Sequence, residues 1–115
     1  MKWATHIAWG IAVLGLMSMP PVPAAVASAL HTAAVDMLGH SRGRRARWHW
    51  ALSIAVAALM AAWARSLPLL ALGPLHIILD ALSPGRLAAS WAYNSLWIAA
   101  ALFLICTYSI PCSTS

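Results

Sequence analysis

Trp48–Ala64 reads WHWALSIAVAALMAAWA, a stretch without Gly, Pro or a formally charged residue. An apolar run of this length, with no helix breaker inside it, is a candidate membrane-spanning helix. Four more runs flank it. The first extends from about Trp3 to Met19 and stops at Met19-Pro20-Pro21-Val22-Pro23, where prolines remove helix donors. The second runs from Ala24 to about Leu38 and ends at Gly39, a common helix C-terminus. Beyond Ala64, the sparse punctuation Arg65-Ser66-Leu67-Pro68 leads into a fourth run to Leu82, in which Gly73-Pro74 predicts a kink. Leu87–Asn94 is too short to span and reads as interfacial, and the fifth run, Ser95–Ile110, is stopped by Pro111.

Composition points the same way. The chain has 115 residues, of which 63% are hydrophobic and 8% charged, and its mean hydropathy is +0.80, which excludes an ordinary soluble domain. Seven Lys and Arg oppose two acids, both Asp, for a formal charge of +5. With so little charge overall, a soluble nucleic-acid binder or an enzyme for acidic substrates is excluded, and the basic excess becomes a topology signal. Placing the basic loop 41–47 (Ser41-Arg42-Gly43-Arg44-Arg45-Ala46-Arg47) in the cytoplasm puts Lys2 and Arg86 there too, leaving only Arg65 outside. The N-terminus is then cytoplasmic and the C-terminus, with Cys112, external. The 7 Trp suit interfacial belts. Cys106 and Cys112 form no CxxC pair and read as unpaired thiols. Lys2, the first run and Ala27-Ser28-Ala29 also match signal-peptide grammar, but the apolar run that follows almost at once favours a retained helical hairpin.

Both acids of the chain sit four residues from a histidine, in Asp36-x-x-x-His40 and His76-x-x-x-Asp80. That spacing puts each pair on one helical face. Ionisable groups in hydrocarbon are costly and mark protein interiors and functional sites. The arginine-derived topology brings His6, Asp36, His40, His49 and Asp80 to one level near the cytoplasmic face, with His76 about 6 Å deeper at 1.5 Å per residue. Asp36, His40, His76 and Asp80 are expected within about 8 Å of one another, inside one helix diameter. His31 lies about 13 Å along the helix from His40 and is a poor candidate for the same site. Imidazole and carboxylate without thiolate suit a divalent metal (Zn, Mn or Fe), which polarises carbonyl or phosphoryl oxygens and activates water for hydrolysis. On this reading His76, Asp80, Asp36 and His40 are the metal ligands, with His49 and His6 as further ligands or proton carriers. The same residues also fit a structural cluster that holds helices together. Trp48 and Trp50 fit interfacial anchors around His49, and the arginines fit both a topogenic signal and a surface for anionic headgroups at Arg42–Arg47. Tyr93-Asn94 reads as a loop hydrogen-bonding pair.

Thr5-His6, Asp36-Met37-Leu38-Gly39-His40, the arginine stretch ending in His49, Leu75-His76-Ile77-Ile78-Leu79-Asp80-Ala81-Leu82-Ser83 and Ala92-Tyr93-Asn94-Ser95 follow one another along nearly the whole chain. In that order they resemble the YdjM-like membrane-bound metal-dependent hydrolases, and more closely an archaeal branch known by a domain-of-unknown-function label. The resemblance implies an integral membrane protein whose metal and catalytic positions are His6, Asp36, His40, His49, His76 and Asp80. The chain departs from that pattern at Trp48 and Trp50, at Ser41, where an acid often stands, and at Ser83-Pro84-Gly85-Arg86.

The expected fold is therefore all-α, an integral membrane bundle of four or five transmembrane helices forming a single domain over 1–115. The expected spans are about 3–19, 24–39, 48–64, 67–82 and 95–110. The expected function is metal-dependent hydrolysis near the cytoplasmic face of the cell membrane, on a phospholipid or other amphiphile. A non-enzymatic polytopic protein whose His/Asp cluster is structural or passes protons or metal ions is the alternative.

Overall fold

A computed structural model describes residues 1–41, 44–45 and 47–109. Five α-helices carry the described chain: α1 (Trp3–Leu16), α2 (Pro21–Gly39), α3 (His49–Ala64), α4 (Leu72–Ala81) and α5 (Trp91–Ser109). Two 3-10 segments, Leu67–Ala71 and Gly85–Ala89, precede α4 and α5. A two-residue antiparallel pairing, β1 (His40–Ser41) with β2 (Arg44–Arg45), aligns His40 with Arg45 within the basic loop. The fold class is all-α. Arg42, Gly43 and Ala46 of that loop, and Cys112, lie outside the described residues.

The element boundaries differ from expectation where proline and 3-10 geometry intervene. α1 stops at Leu16, and Ser18 takes a left-handed φ of 66° before the prolines. α2 starts at Pro21 rather than Ala24, because the first turn of a helix has no intrahelical use for its N–H groups and tolerates Pro21 and Pro23. The kink expected at Gly73-Pro74 is instead a change from 3-10 to α geometry at Leu72, so Pro74 falls in the first turn of α4. The segment expected to be interfacial divides at Ser90, and Trp91–Asn94 become the first turn of α5.

Short connections make sequential helices neighbours. α1 packs between α2 and α5, α3 packs against α2 and α4, and contacts of α4 with α1 and α2 draw α1 to α4 around a shared interior. Small residues permit the close approaches. On α3 the buried residues are His49, Ser53, Ala57 and Ala61, one stripe at intervals of four. A Cβ at Gly10 would overlap the Ser28 side chain, so α1 and α2 can sit this close only with glycine there.

The interior is divided. Leu14, Ala24, Ala27, Ala57, Ala61, Leu69 and Leu72 form the apolar cluster, at the end where α1 and α3 finish and α2 begins. At the opposite end the buried set is polar: Thr5, His6, His49, His76, Asp80, Ser83 and Asn94. Large apolar side chains instead cover the outside, with Trp63 90% exposed and Leu59, Leu96 and Phe103 also turned outward. By length and composition, α2 and α5 are long and apolar enough to cross a membrane, while α1, α3 and the segment Leu67–Ala81 are shorter apolar helices.

Candidate metal centre

Four helix ends converge at the polar end. The start of α1 brings His6, the end of α2 brings Asp36 and His40, the start of α3 brings His49, and the last two turns of α4 bring His76 and Asp80. In α4 the four-residue spacing works as expected: both side chains point inward, with His76 Nε2 3.5 Å from Asp80 Oδ2.

Asp80 is the hub. Its Oδ2 is 3.2 Å from His49 Nε2, and its Oδ1 is 3.2 Å from His6 Nε2 and 3.3 Å from the Met1 amino group, which also donates to Ser83 Oγ at 2.9 Å. Asp36 joins from α2, its Oδ1 3.4 Å from His76 Nε2 and 4.0 Å from His49 Nε2. His49 Nε2 and His76 Nε2 are 3.2 Å apart. Asp36 lies well inside the sequence-derived limit of about 8 Å, its Oδ1 3.4 Å from His76 Nε2.

His49 and His40 differ from their expected positions. His49 is buried at the centre, whereas His40 stands at the rim, its side chain 37% exposed and its Nδ1–H donating to the Asp36 carbonyl at 2.9 Å. Gly39 accounts for part of this, because its lack of a side chain leaves the space the His49 ring fills against the end of α2. His31 is closer to the site than its distance along α2 from His40 suggests. Its ring lies 5.6 Å from that of His76, and its Nε2–H donates to the Ser53 carbonyl at 3.0 Å. His6, His31, Thr32 and His76 line a cavity of about 10 Å³, room for a single water.

Tyr93 and Asn94 clamp the site from α5. Asn94 is fully buried and fully used: Oδ1 accepts from the Lys2 backbone N–H at 2.8 Å and from Thr5 Oγ1 at 2.6 Å, while Nδ2 donates to the Ala88 and Ser90 carbonyls. That holds the turn carrying His6. Tyr93 donates its hydroxyl to the Leu82 carbonyl and so holds the end of the helix carrying Asp80. The sequence marks Tyr93-Asn94 as a hydrogen-bonding pair but places it in a loop, whereas it lies in the first turn of α5, and the sequence carries no signal for Ser53, Thr32 or Ser83.

Among the described residues, His/Asp groups here could hold a metal ion: His6, His76 and Asp80, all buried, lie within 4.8 Å of one another, as do Asp36, His40 and His49, of which only His49 is buried. The donor chemistry fits. Ligands about 2.0–2.2 Å from one ion stand about 3–3.5 Å from their neighbours, the range seen among His49, His76, Asp36 and Asp80 apart from the longer His49–Asp36 separation. His6 supplies a second observation. Its Nδ1–H is turned to the Lys2 carbonyl at 3.2 Å, and its buried Nε2 is aimed at Asp80 Oδ1, 3.2 Å away, where an ion could be taken between them. Beside the cluster a cavity of about 380 Å³ is lined by Met1, Trp3, Met37 and Ala88 together with Asp36, His40 and Asp80. No protein-family model, curated protein or solved structure matches the chain.

Proposed function

We propose that this chain is a multi-pass membrane protein with a metal-dependent hydrolytic site, of the kind its motifs resemble. The observation carrying the proposal is the convergence of His49, His76, Asp80 and Asp36 from three helices, with donor atoms 3.2–4.0 Å apart, beside a cavity that both carboxylates line. The apolar exterior and the polar end of the interior support a bundle of four or five membrane helices, since a soluble protein would hide the first and hydrate the second. α1 and α3 are short for a full span at 1.5 Å per residue, and the bilayer accommodates such helices by thinning or by tilting their longer neighbours.

A divalent ion bound here supplies Lewis acidity and lowers the pKa of water. The chain's residues do the rest. Asp80 and Asp36 balance the ion's charge, His49 and His76 complete its donor set, and His6 fixes the second oxygen of Asp80. The cavity admits an amphiphile with its polar group at Asp36 and its apolar part along Trp3 and Met37, and the basic loop 41–47 favours anionic headgroups. Hydrolysis forms a bond from water oxygen to the ester's electrophilic atom, breaks the ester bond, and returns the water proton to the leaving oxygen. The proposed topology has the site and the N-terminus on the cytoplasmic side.

A purely structural cluster would need every buried polar atom satisfied, as Asn94 is. His76 Nδ1 is buried without a hydrogen bond and His6 Nε2 meets the Asp80 carboxylate at 3.2 Å without a well-formed one, so the cluster is less closed than the bonding of Asn94, which supports the ion-binding reading. Elemental analysis of the detergent-purified protein, carrying a tag without histidines, tests this against His76→Ala and Asp80→Ala. Zn, Mn or Fe near stoichiometry in the wild type and absent from the folded variants is expected. A folded, metal-supplemented wild type without metal would overturn the proposal.

A further inference from the structure

The two sets of donors differ in surroundings but not in kind. His6, His76 and Asp80 are all buried, whereas Asp36 and His40 of the second set are progressively more exposed; Asp80 borders the 380 Å³ cavity together with them. Each set is two imidazoles and one carboxylate, the composition of many catalytic divalent-metal sites that keep open positions. The sets adjoin, with His49 Nε2 3.2 Å from both His76 Nε2 and Asp80 Oδ2 and His76 Nε2 3.4 Å from Asp36 Oδ1. Six donors are twice the three protein ligands that a catalytic divalent site commonly uses. Between the sets lies Asp80, with Oδ1 toward His6 Nε2 and Oδ2 toward His49 Nε2, each at 3.2 Å. A carboxylate turned in two directions in this way has the form of a bridging ligand.

From this arrangement we propose that the centre binds two divalent cations, one closed in by His6, His76 and Asp80, the other held by Asp36, His40 and His49 at the cavity, with Asp80 shared between them. The inference rests on the metal reading above, divides its four donors between two ions with His6 and His40 added as ligands, and narrows its substrate class. Paired divalent ions suit displacement at phosphorus, where attacking and leaving oxygens both carry charge, so the substrate is a phosphoric ester or anhydride on an apolar tail. Water oxygen bonds to phosphorus, the P–O bond to the leaving group breaks, and the proton released by water ends on the leaving oxygen. The closed set is expected to bind more tightly than the open one.

The test is titration of the full-length, detergent-purified chain with Mn²⁺ and separately with Zn²⁺, read by elemental analysis and, for Mn²⁺, by electron paramagnetic resonance. Two ions per chain taken up in two phases, with a spin-coupled Mn²⁺ spectrum, are expected. His6→Ala and His40→Ala should each retain one ion and give the uncoupled six-line signal. A wild type that saturates at one ion with a six-line spectrum overturns the two-ion centre and leaves the metal reading standing. Uptake of no ion overturns both. A folded His6→Ala variant that loses both ions would overturn the division into two sets, and if the variants do not fold, the wild-type count and coupling decide alone.

Discussion

The two ends of the bundle are built from the same four helices by opposite means. At one end Ala24, Ala27, Ala57 and Ala61 bring backbones close around Leu14, Leu69 and Leu72, and the gain is contact between apolar atoms. At the other end α1, α2, α3 and α4 meet through His6, Asp36, His49, His76 and Asp80, whose burial is unfavourable until each donor is matched to an acceptor or an ion. The apolar end tolerates changes that conserve volume. The polar end tolerates changes that conserve ligand geometry. The bundle is thus a packed scaffold at one end and a ligand frame at the other, and the two should fail independently under mutation.

Removing the hub should produce the largest failure. Asp80→Ala leaves His6, His49, His76 and the Met1 amino group facing one another without their common carboxylate. Deleting one side of a buried charge pair costs about 3 kcal/mol or more, and metal retention should vanish with it. Thermal unfolding with and without a chelator is the measurement. Chelation should lower the wild-type midpoint and leave that of Asp80→Ala unmoved, whereas equal chelator shifts would mean that Asp80 is not part of the metal-holding set.

An intermediate effect with the opposite signature is expected at the apolar end. Ala57 is buried in the small-residue stripe of α3, and Ala57→Leu forces extra methylenes between packed helices at a cost of about 1–3 kcal/mol. The unfolding midpoint should fall while metal content per folded chain stays at the wild-type value. Loss of metal in this variant, measured by the same elemental analysis, would show that the two ends are mechanically coupled.

How much of this was readable beforehand follows from which forces act locally. The helix over Trp48–Ala64 was readable because nothing in the run interrupts it, and the inward pairing of His76 with Asp80 because a helix fixes which face residues four apart share. The start of α2 was not, since Pro21 and Pro23 break a helix everywhere except in its first turn. Nor was the burial of His49 at the centre with His40 at the rim. Asp36 and His40 do share a face, but the His40 ring turns back to its own helix's carbonyl, a rotamer choice that spacing does not determine. Distance along α2 sets His31 apart from His40, while the neighbour that matters, His76, reaches it from another helix. Side-chain direction at helix ends and contacts between helices are tertiary facts, and the site depends on both.

The smallest change in stability should accompany the most selective test of that distinction. Gly39 sits in the last turn of α2, where alanine is the better helix former by about 0.5–1 kcal/mol, so on propensity alone Gly39→Ala should stabilise. A methyl group there would overlap the His49 ring, which packs against this point of the backbone. The ring must move, and with it the Nε2 that stands 3.2 Å from both His76 Nε2 and Asp80 Oδ2. Disturbing what orients a ligand typically weakens metal binding about 10- to 100-fold, so metal affinity should fall by that factor while the midpoint of the metal-free protein changes little or rises. Unchanged affinity would mean that His49 reaches its place without Gly39's help, and that the close approach between α2 and the His49 ring belongs to the scaffold rather than to the ligand frame.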